Sequence, residues 1–320
     1  MIGWGVVATG GIADVVTSDM RRADGTEVRA VSSRDIRRAA EFAARHEIAK
    51  SYGDYRELIA DPAVDVVYVA TPHSSHYAVT REALLAGKAV LCEKPLTVSL
   101  AAAEELVALA RQQGVFLMEA MWTRFNPLVR RMRQLIKDGA IGQIRSVQAD
   151  FGGLFPEDLT HRVWDPAAGG GSLLDVGIYP VSLAHMLLGE PAGIVTHGLV
   201  RNGVDAEAAL LLKYPDGVFA QLSSSLIGDY PVQATIVGTK GRIELLPEFF
   251  KVSEMVVLGE RESISLDGNG YTYEIAEVNE RILAGDTESP EMPLDDTLAV
   301  MRTLTTALEQ LGVNYPNTVR

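Results

Sequence analysis

The chain is poor in the residues that tie small extracellular folds together. One of its 320 residues is cysteine, Cys92, so no internal disulfide can form and a reducing, cytoplasmic setting is expected. Basic residues are also in deficit. Lys and Arg number 29 against 42 Asp and Glu, a net charge of -13, which argues against a partner such as nucleic acid. No run of 18 or more apolar residues exists, and even "IYPVSLAHMLLG" is too short and carries His185; no membrane span is expected. The opening "MIGWGVV" lacks a basic segment and a small-residue cleavage site, so no signal peptide is expected. No metal site is expected either. What remains is 47% hydrophobic and 22% charged, an ordinary globular composition, and this length favours two domains.

The first third alternates short apolar runs with amphipathic stretches. The runs fall at 2–8, 26–33, 64–70, 88–93 and 115–120, with helix-like segments at 11–22, 35–45, 54–60, 74–86 and 99–113. Asp35, Asp54, Ser74 and Ser99 stand where N-caps belong, and Gly87 and Gly114 close two segments. Such alternation predicts a parallel sheet covered on both faces. Near residue 120 the pattern changes. Helical stretches at 127–138 and 173–188, a strand at 143–151, and alternating segments at 193–200, 206–213, 218–225, 231–237 and 241–246 follow, with hairpin signals at "YPDG" and "GTKG". Helices at 273–284 and 295–312 finish the chain. The expectation is an α/β protein: a Rossmann domain over 1–121, then an α/β domain over 122–320 with an open, mainly antiparallel sheet.

The first strand-to-helix junction, "GVVATGGIAD", holds Ala8, Thr9, Gly10, Gly11, Ile12 and Ala13 in a G-x-G-x-x-A frame. Gly10 would admit a pyrophosphate to the backbone and Ala13 would let helix and strand pack closely. The first glycine of the frame is Ala8, a departure. The second strand ends "AVSSRDIRRA". Ser33, Arg34 and Arg38 suit the 2′-phosphate of NADP; on the other reading the arginines lie on a solvated helix and Asp35 is the acid that would select NAD. NADP is favoured over NAD, because Asp35 is better placed as a helix cap. Thr71 and Pro72 end the next strand on the cofactor edge. His76 follows them and suits contact with the cofactor-side backbone more than direct catalysis.

"VLCEKPLT" ends the following strand at the same edge. Lys94 would there face the nicotinamide end of a bound cofactor and could exchange a proton with a substrate oxygen. A surface Lys–Glu pair would mean little. Free-base chemistry requires a lowered pKa, so Glu93 is expected to point away from the reacting centre. In "GGGSLLDVGIYP", Asp175 and Tyr179 are four residues apart and share one helical face. They could hold a hydroxyl and tune a lysine, or be a first-turn acid and a core ring.

Together, "EKPLT", "MEAMWTRFNP", "GGGSLLDVGIYP" and "GYTYE…SPEMPLDDTL" resemble the Gfo/Idh/MocA oxidoreductase family over essentially the whole chain, in particular its branch of NADP-dependent dihydrodiol and D-xylose dehydrogenases. The resemblance implies a Rossmann domain and a C-terminal α/β domain whose open sheet makes a homodimer or higher homo-oligomer. It implies Lys94 as the acid/base, supported by Asp175, with Tyr179 where many relatives carry histidine. Glu93 and Lys94 would border the cofactor. Trp122, Arg124, Phe125 and Trp164 become candidate walls of a pocket for a sugar, polyol or cyclic diol. Arg162 and Tyr271 are further candidates. Two rivals stand beside this reading: an NAD-dependent glycosidase working by transient oxidation, which "SSR" counts against, and a non-catalytic dinucleotide sensor, which would have no need of Lys94, Asp175 and Tyr179 together.

Overall fold

A computed structural model describes residues 1–315. Strand and helix alternate at first: β1 (Ile2–Val7), α1 (Gly11–Met20), β2 (Thr26–Ser32), α2 (Ile36–His46), β3 (Lys50–Tyr52), α3 (Tyr55–Ala60), β4 (Val66–Val69), α4 (His73–Leu85), β5 (Ala89–Glu93), α5 (Leu100–Gln113) and β6 (Leu117–Ala120). All six strands are parallel, in the order β3-β2-β1-β4-β5-β6. The chain winds outward from β1 in both directions, which opens a crevice at the strands' carboxyl ends between β1 and β4. β1, β4 and β5 are buried along their whole length, as uninterrupted apolar runs between two helix layers require.

The caps at Asp35, Asp54 and Ser99 form, each side chain accepting a main-chain N–H of the helix it opens. Ser74 does not cap. α4 begins one residue earlier, at His73, because Pro72 already holds φ at -58° and its carbonyl accepts from Ser75 N. The three-residue β3 lies outside the expected strands.

The second half builds α6 (Pro127–Lys137), β7 (Ile144–Gly152), a π-helical turn Leu173–Gly177 running into α7 (Ile178–Leu188), and strands β8 (Gly193–Arg201), β9 (Val204–Lys213), β10 (Phe219–Ser225), β11 (Ala234–Gly238), β12 (Gly241–Leu245), β13 (Glu254–Val257) and β14 (Glu260–Ser263). Their order is β14-β13-β12-β11-β7-β10-β9-β8, antiparallel except for β7 beside β10. α8 (Thr272–Ala284) and α9 (Leu294–Leu311) end the fold. Of these strands, β13 and β14 were not expected. Val195, Leu199, Leu211 and Phe219 share one face of the sheet by register and stay exposed.

The last third returns to the first sheet. Trp4 Nε1 donates to Asn279 Oδ1 at 3.1 Å, and the Asp19 carboxylate accepts from the main-chain N–H groups of Asn269 and Tyr271. One buried apolar cluster is therefore continuous through both sheets. Pro166–Leu188 is long and apolar enough to cross a membrane, but 78% of its 18-residue window is buried inside the protein, as befits a core helix.

Candidate active site

The turns after β1, β2, β4 and β5 open onto one cleft of about 1150 Å³. Thr9, Gly10, Gly11 and Ile12 line it from the first turn, Ser33, Arg34 and Arg38 from the second, Thr71, Pro72 and His76 from the third, and Glu93 and Lys94 from the fourth. The structure thus gathers into one cavity all the residues assigned to the cofactor from sequence. Ala8, in place of the first glycine, adopts φ 96°, a left-handed conformation that costs an alanine roughly 1–2 kcal/mol. Its N–H still reaches Ser32 O at 3.0 Å and holds the turn against β2.

Several features fit a dinucleotide. A side chain at Gly10 or Gly11 would meet nothing within 4 Å among the described residues, so the backbone there is open to a close ligand. No side chain caps α1, which leaves its first N–H groups free for an anion. Thr71 Oγ1 and Ser32 Oγ are buried beside the cleft without a hydrogen-bond partner among the described residues. Asp35 is engaged by Arg37, accepting its main-chain N–H at 2.9 Å and its guanidinium at 3.2 Å. Arg34 and Arg38 line the cleft beside Ser33, as does Arg56, which pairs with Asp54 at 3.6 Å. His76 ties the ends of β4 and β5, its ring nitrogens 2.9 Å from Thr71 O and 2.8 Å from Pro95 O.

Lys94 leaves β5 just before a cis peptide to Pro95. Its Nζ donates to the main-chain oxygen of Asp175 at 2.6 Å and lies 5.0 Å from the centre of the Tyr179 ring. Asp175 and Tyr179 share a face, but through the π-helical turn and not a plain α-helix. That turn is set by the glycine cluster: a side chain at Gly171 would run into Asp205 Oδ1, and one at Gly170 into the Val163 carbonyl. Asp205 in turn accepts from Ser172 Oγ and Leu173 N.

Three basic groups converge on Asp175 Oδ1. Arg162 Nη2 donates at 2.9 Å, while Lys94 Nζ and His73 Nε2 each stand 3.8 Å away. Burial pushes the Asp175 carboxyl up, but Lys94, Arg162 and His73 outweigh it and hold the carboxyl down at about 2. Burial lowers the pKa of Lys94 against the pull of Asp175 and Glu93, and Arg162 lowers it further. Burial brings His73 to about 3, so its ring is neutral. His73 was not singled out from the sequence, though it directly follows Thr71 and Pro72.

Glu93 is only partly turned away. Tyr68 Oη donates to its carboxylate at 2.6 Å and Lys94 N at 3.3 Å, so it makes no ion pair with Lys94 Nζ. It borders the same cleft, where the sequence reading sets it beside the cofactor. The strand direction at β5 explains this, since the chain leaves the sheet directly after Glu93.

An aromatic wall adjoins Lys94. Tyr179 Oη accepts from Trp122 Nε1 at 3.1 Å, and Trp122 stacks on Tyr271 with ring centres 4.1 Å apart. Phe250 meets Trp122 edge-on and stacks on Phe151, which packs against Tyr179. Phe151 and Phe250 were missed in the sequence. One ends β7 and the other lies in a turn about a hundred residues on, so no local spacing links them. Behind the wall, Trp122, Phe250 and Tyr271 line a second cavity of about 480 Å³.

Three pocket candidates are corrected. Arg124 is buried and turned toward α9, pairing with Asp296 at 2.6 Å and reaching Ser182 Oγ at 3.3 Å. Phe125 is wholly buried in the core. Trp164 fills a small cluster with Val163, Val204, Ala206 and Leu226, its indole donating to Pro156 O. In each case sequence supplies the residue type but not the face it turns to. Arg162 lines the cleft, but its guanidinium is directed at Asp175.

Fold and cleft together define a Rossmann dinucleotide-binding protein with a buried amine beside a carboxylate, groups able to pass a proton. Residues 2–121 match the family described as "Oxidoreductase family, NAD-binding Rossmann fold" (GFO_IDH_MocA), and residues 129–244 match the "GFO/IDH/MocA C-terminal domain". The chain belongs to this Gfo/Idh/MocA oxidoreductase family. It is 38% identical to the trans-1,2-dihydrobenzene-1,2-diol dehydrogenases of Bos taurus, over 98% of each chain, and of Homo sapiens, over 99% of each. Among solved structures it resembles KijD10, a 3-ketoreductase from Actinomadura kijaniata in complex with NADP and TDP-benzene (TM-score 0.83, 30% identity, 96% of each chain). It also resembles an aldose-aldose oxidoreductase from Caulobacter crescentus complexed with glycerol (TM-score 0.87, 26% identity, 97% of each chain).

Proposed function

We propose that the chain is an NADP-dependent dehydrogenase that interconverts a hydroxyl and a carbonyl on a sugar, polyol or cyclic diol. The observation that carries this reading is the placement of Lys94 Nζ: at the cofactor cleft, against Asp175, and over the ring of Tyr179. Residues 1–121 hold the cofactor in this reading, with the pyrophosphate on the open N-terminus of α1 and the 2′-phosphate on Ser33, Arg34 and Arg38. The nicotinamide, when bound, supplies the hydride acceptor or donor.

The chain's own residues handle the proton. During oxidation Lys94, as the free amine, takes the hydroxyl proton while the carbon–hydrogen bond breaks and a carbonyl forms. Reduction uses the ammonium form in reverse. Asp175 and Tyr179 orient the oxygen, and burial of the site keeps water from competing. The rings of Trp122, Tyr271 and Phe250 offer an apolar face to the C–H side of a cyclic substrate. The diol dehydrogenase names of the relatives and the sugar-related names of the structural neighbours support the substrate class. A second copy of the chain is the partner that suits the exposed Val195, Leu199, Leu211 and Phe219, and the lone, buried Cys92 suits a reducing cytoplasm.

The test is a panel of aldoses, inositols and cyclic diols with NAD and NADP in parallel, followed at the nicotinamide band. Turnover with NADP that disappears in Lys94→Ala is expected. Wild-type turnover by that variant ends the mechanism, and cofactor binding without turnover on any substrate points instead to a dinucleotide sensor.

A further inference from the structure

The carboxylate beside the proposed catalytic lysine has three basic neighbours, and the nearest is not the lysine. Arg162 Nη2 lies 2.9 Å from Asp175 Oδ1, against 3.8 Å for Lys94 Nζ. Arg162 belongs to a short 3-10 turn, Arg162–Trp164, in the segment joining β7 to the π-helical turn. Its side chain is 46% exposed while that of Asp175 is 7% exposed, so it reaches from the solvent edge into a buried cluster. The turn itself is well held: Trp164 fills a pocket behind it and Gly171 N donates to Val163 O at 2.8 Å.

We propose that Arg162 is a positioning residue for the reaction: by occupying Asp175 Oδ1 it keeps that carboxylate from closing onto Lys94, and so leaves the amine free to accept the substrate's proton. This rests on the role given to Lys94 above, and names the group that controls it.

Two effects act in the same direction. Were Arg162 absent, the carboxylate could turn fully to Lys94 and make a short ion pair that favours the ammonium. The guanidinium charge would vanish as well. It lies no farther from Lys94 Nζ than the two contacts to Oδ1 laid end to end, close enough to disfavour a second positive charge in a buried site. The other groups facing Lys94 do not replace it. His73 and His76 are kept neutral by burial, with pKa values of about 3 and about 4. Burial holds Tyr179 protonated. Glu93 favours the ammonium but is tied to Tyr68, and Glu119 is tied to Leu96 N and Thr297 Oγ1. Arg162 is thus the charge in this cluster that opposes protonation of Lys94 while leaving its geometry untouched.

The experiment follows Lys94 directly and without turnover. The chain has seven lysines, so a pH titration of lysine Nζ–Cε resonances in isotopically labelled full-length protein can isolate Lys94, assigned with Lys94→Met. Arg162→Gln is expected to raise the Lys94 midpoint by about one pH unit, roughly tenfold in the amine-to-ammonium ratio at fixed pH. Arg162→Lys, which keeps the charge, should return most of that shift. The pH profile of kcat/KM for alcohol oxidation should move the same way. An unmoved or lowered midpoint in Arg162→Gln overturns the proposal, even if activity falls, because Arg162 would then be only a structural strut. Full turnover by Lys94→Ala would defeat the catalytic reading while leaving the titration readable, so the two failures can be told apart.

Discussion

Lys94 Nζ donates to the main-chain oxygen of Asp175 at 2.6 Å, while the carboxylate of the same residue stands 3.8 Å away. The tether therefore belongs to the backbone and survives a change of side chain, whereas the charge does not. Asp175→Asn should leave the amine in place and remove the anion that favours its ammonium form. Alcohol oxidation needs the free amine, so its rise with pH should shift to lower pH, and kcat/KM should fall about 10²-fold as the oxygen loses an orienting group. pH–rate profiles of the two proteins check this. An unmoved midpoint would mean that the carboxylate does not act on Lys94.

Tyr179 is expected to work by hydrogen bonding and not as a base. Burial raises its pKa far above neutrality, so the phenol stays protonated across the working range. Tyr179→Phe should then lower kcat/KM without moving the pH midpoint set by Lys94. It should also destabilise the protein, because the buried Trp122 N–H, 3.1 Å from Tyr179 Oη, loses its acceptor. A cost of about 1–3 kcal/mol is expected, read from urea unfolding.

Cofactor choice should hinge on Arg34. With Asp35 engaged by Arg37 as a helix cap, Ser33, Arg34 and Arg38 line that end of the cleft, while Arg56 there is paired with Asp54. A charge-assisted hydrogen bond to a phosphate is worth about 1.5–3 kcal/mol, so Arg34→Ala should raise KM for NADP by roughly ten- to hundredfold. KM for NAD should stay close to its wild-type value. Equal losses with both cofactors would place Arg34 outside the 2′-phosphate site.

The parallel sheet was legible because β1, β4 and β5 are buried on both faces and read as unbroken apolar runs. β3 escaped because three partly exposed residues carry no period. β14, "ERES", is nearly all charged and hydrogen-bonds along a sheet edge without an apolar face to announce it. In the site, Lys94, Asp175 and Tyr179 could be picked out because each sits in a local pattern of strand end or helix start. Phe250 could not, since tertiary packing alone brings it to Phe151 and Trp122. Arg124 and Trp164 show the converse limit. The family resemblance offers them as pocket walls, but the helical turns carrying them direct the side chains into the interior.

Asp61 gives a test of the first sheet that is independent of catalysis. Its carboxylate accepts from Lys50 Nζ at 2.8 and 3.0 Å, from Tyr52 Oη at 2.9 Å and from Ala63 N at 3.0 Å, clamping the edge strand β3 to the loop after α3. Lys50 first, then the Ala63 N–H, lower its pKa to about 2 against the effect of burial, with Tyr52 adding to them. A depressed carboxyl stabilises the fold above its unfolded value, near 3.9, and loses that contribution as pH falls through the folded value. Asp61→Asn should therefore cost about 1–3 kcal/mol at pH 7. The gap to wild type should narrow between about pH 4 and pH 2, where the native carboxylate is itself taking up its proton. Urea unfolding of both proteins at pH 7, 4 and 2.5 checks the sign. A gap that held constant down to pH 2.5 would assign the stabilisation to shape and hydrogen bonding alone, and not to the charge on Asp61.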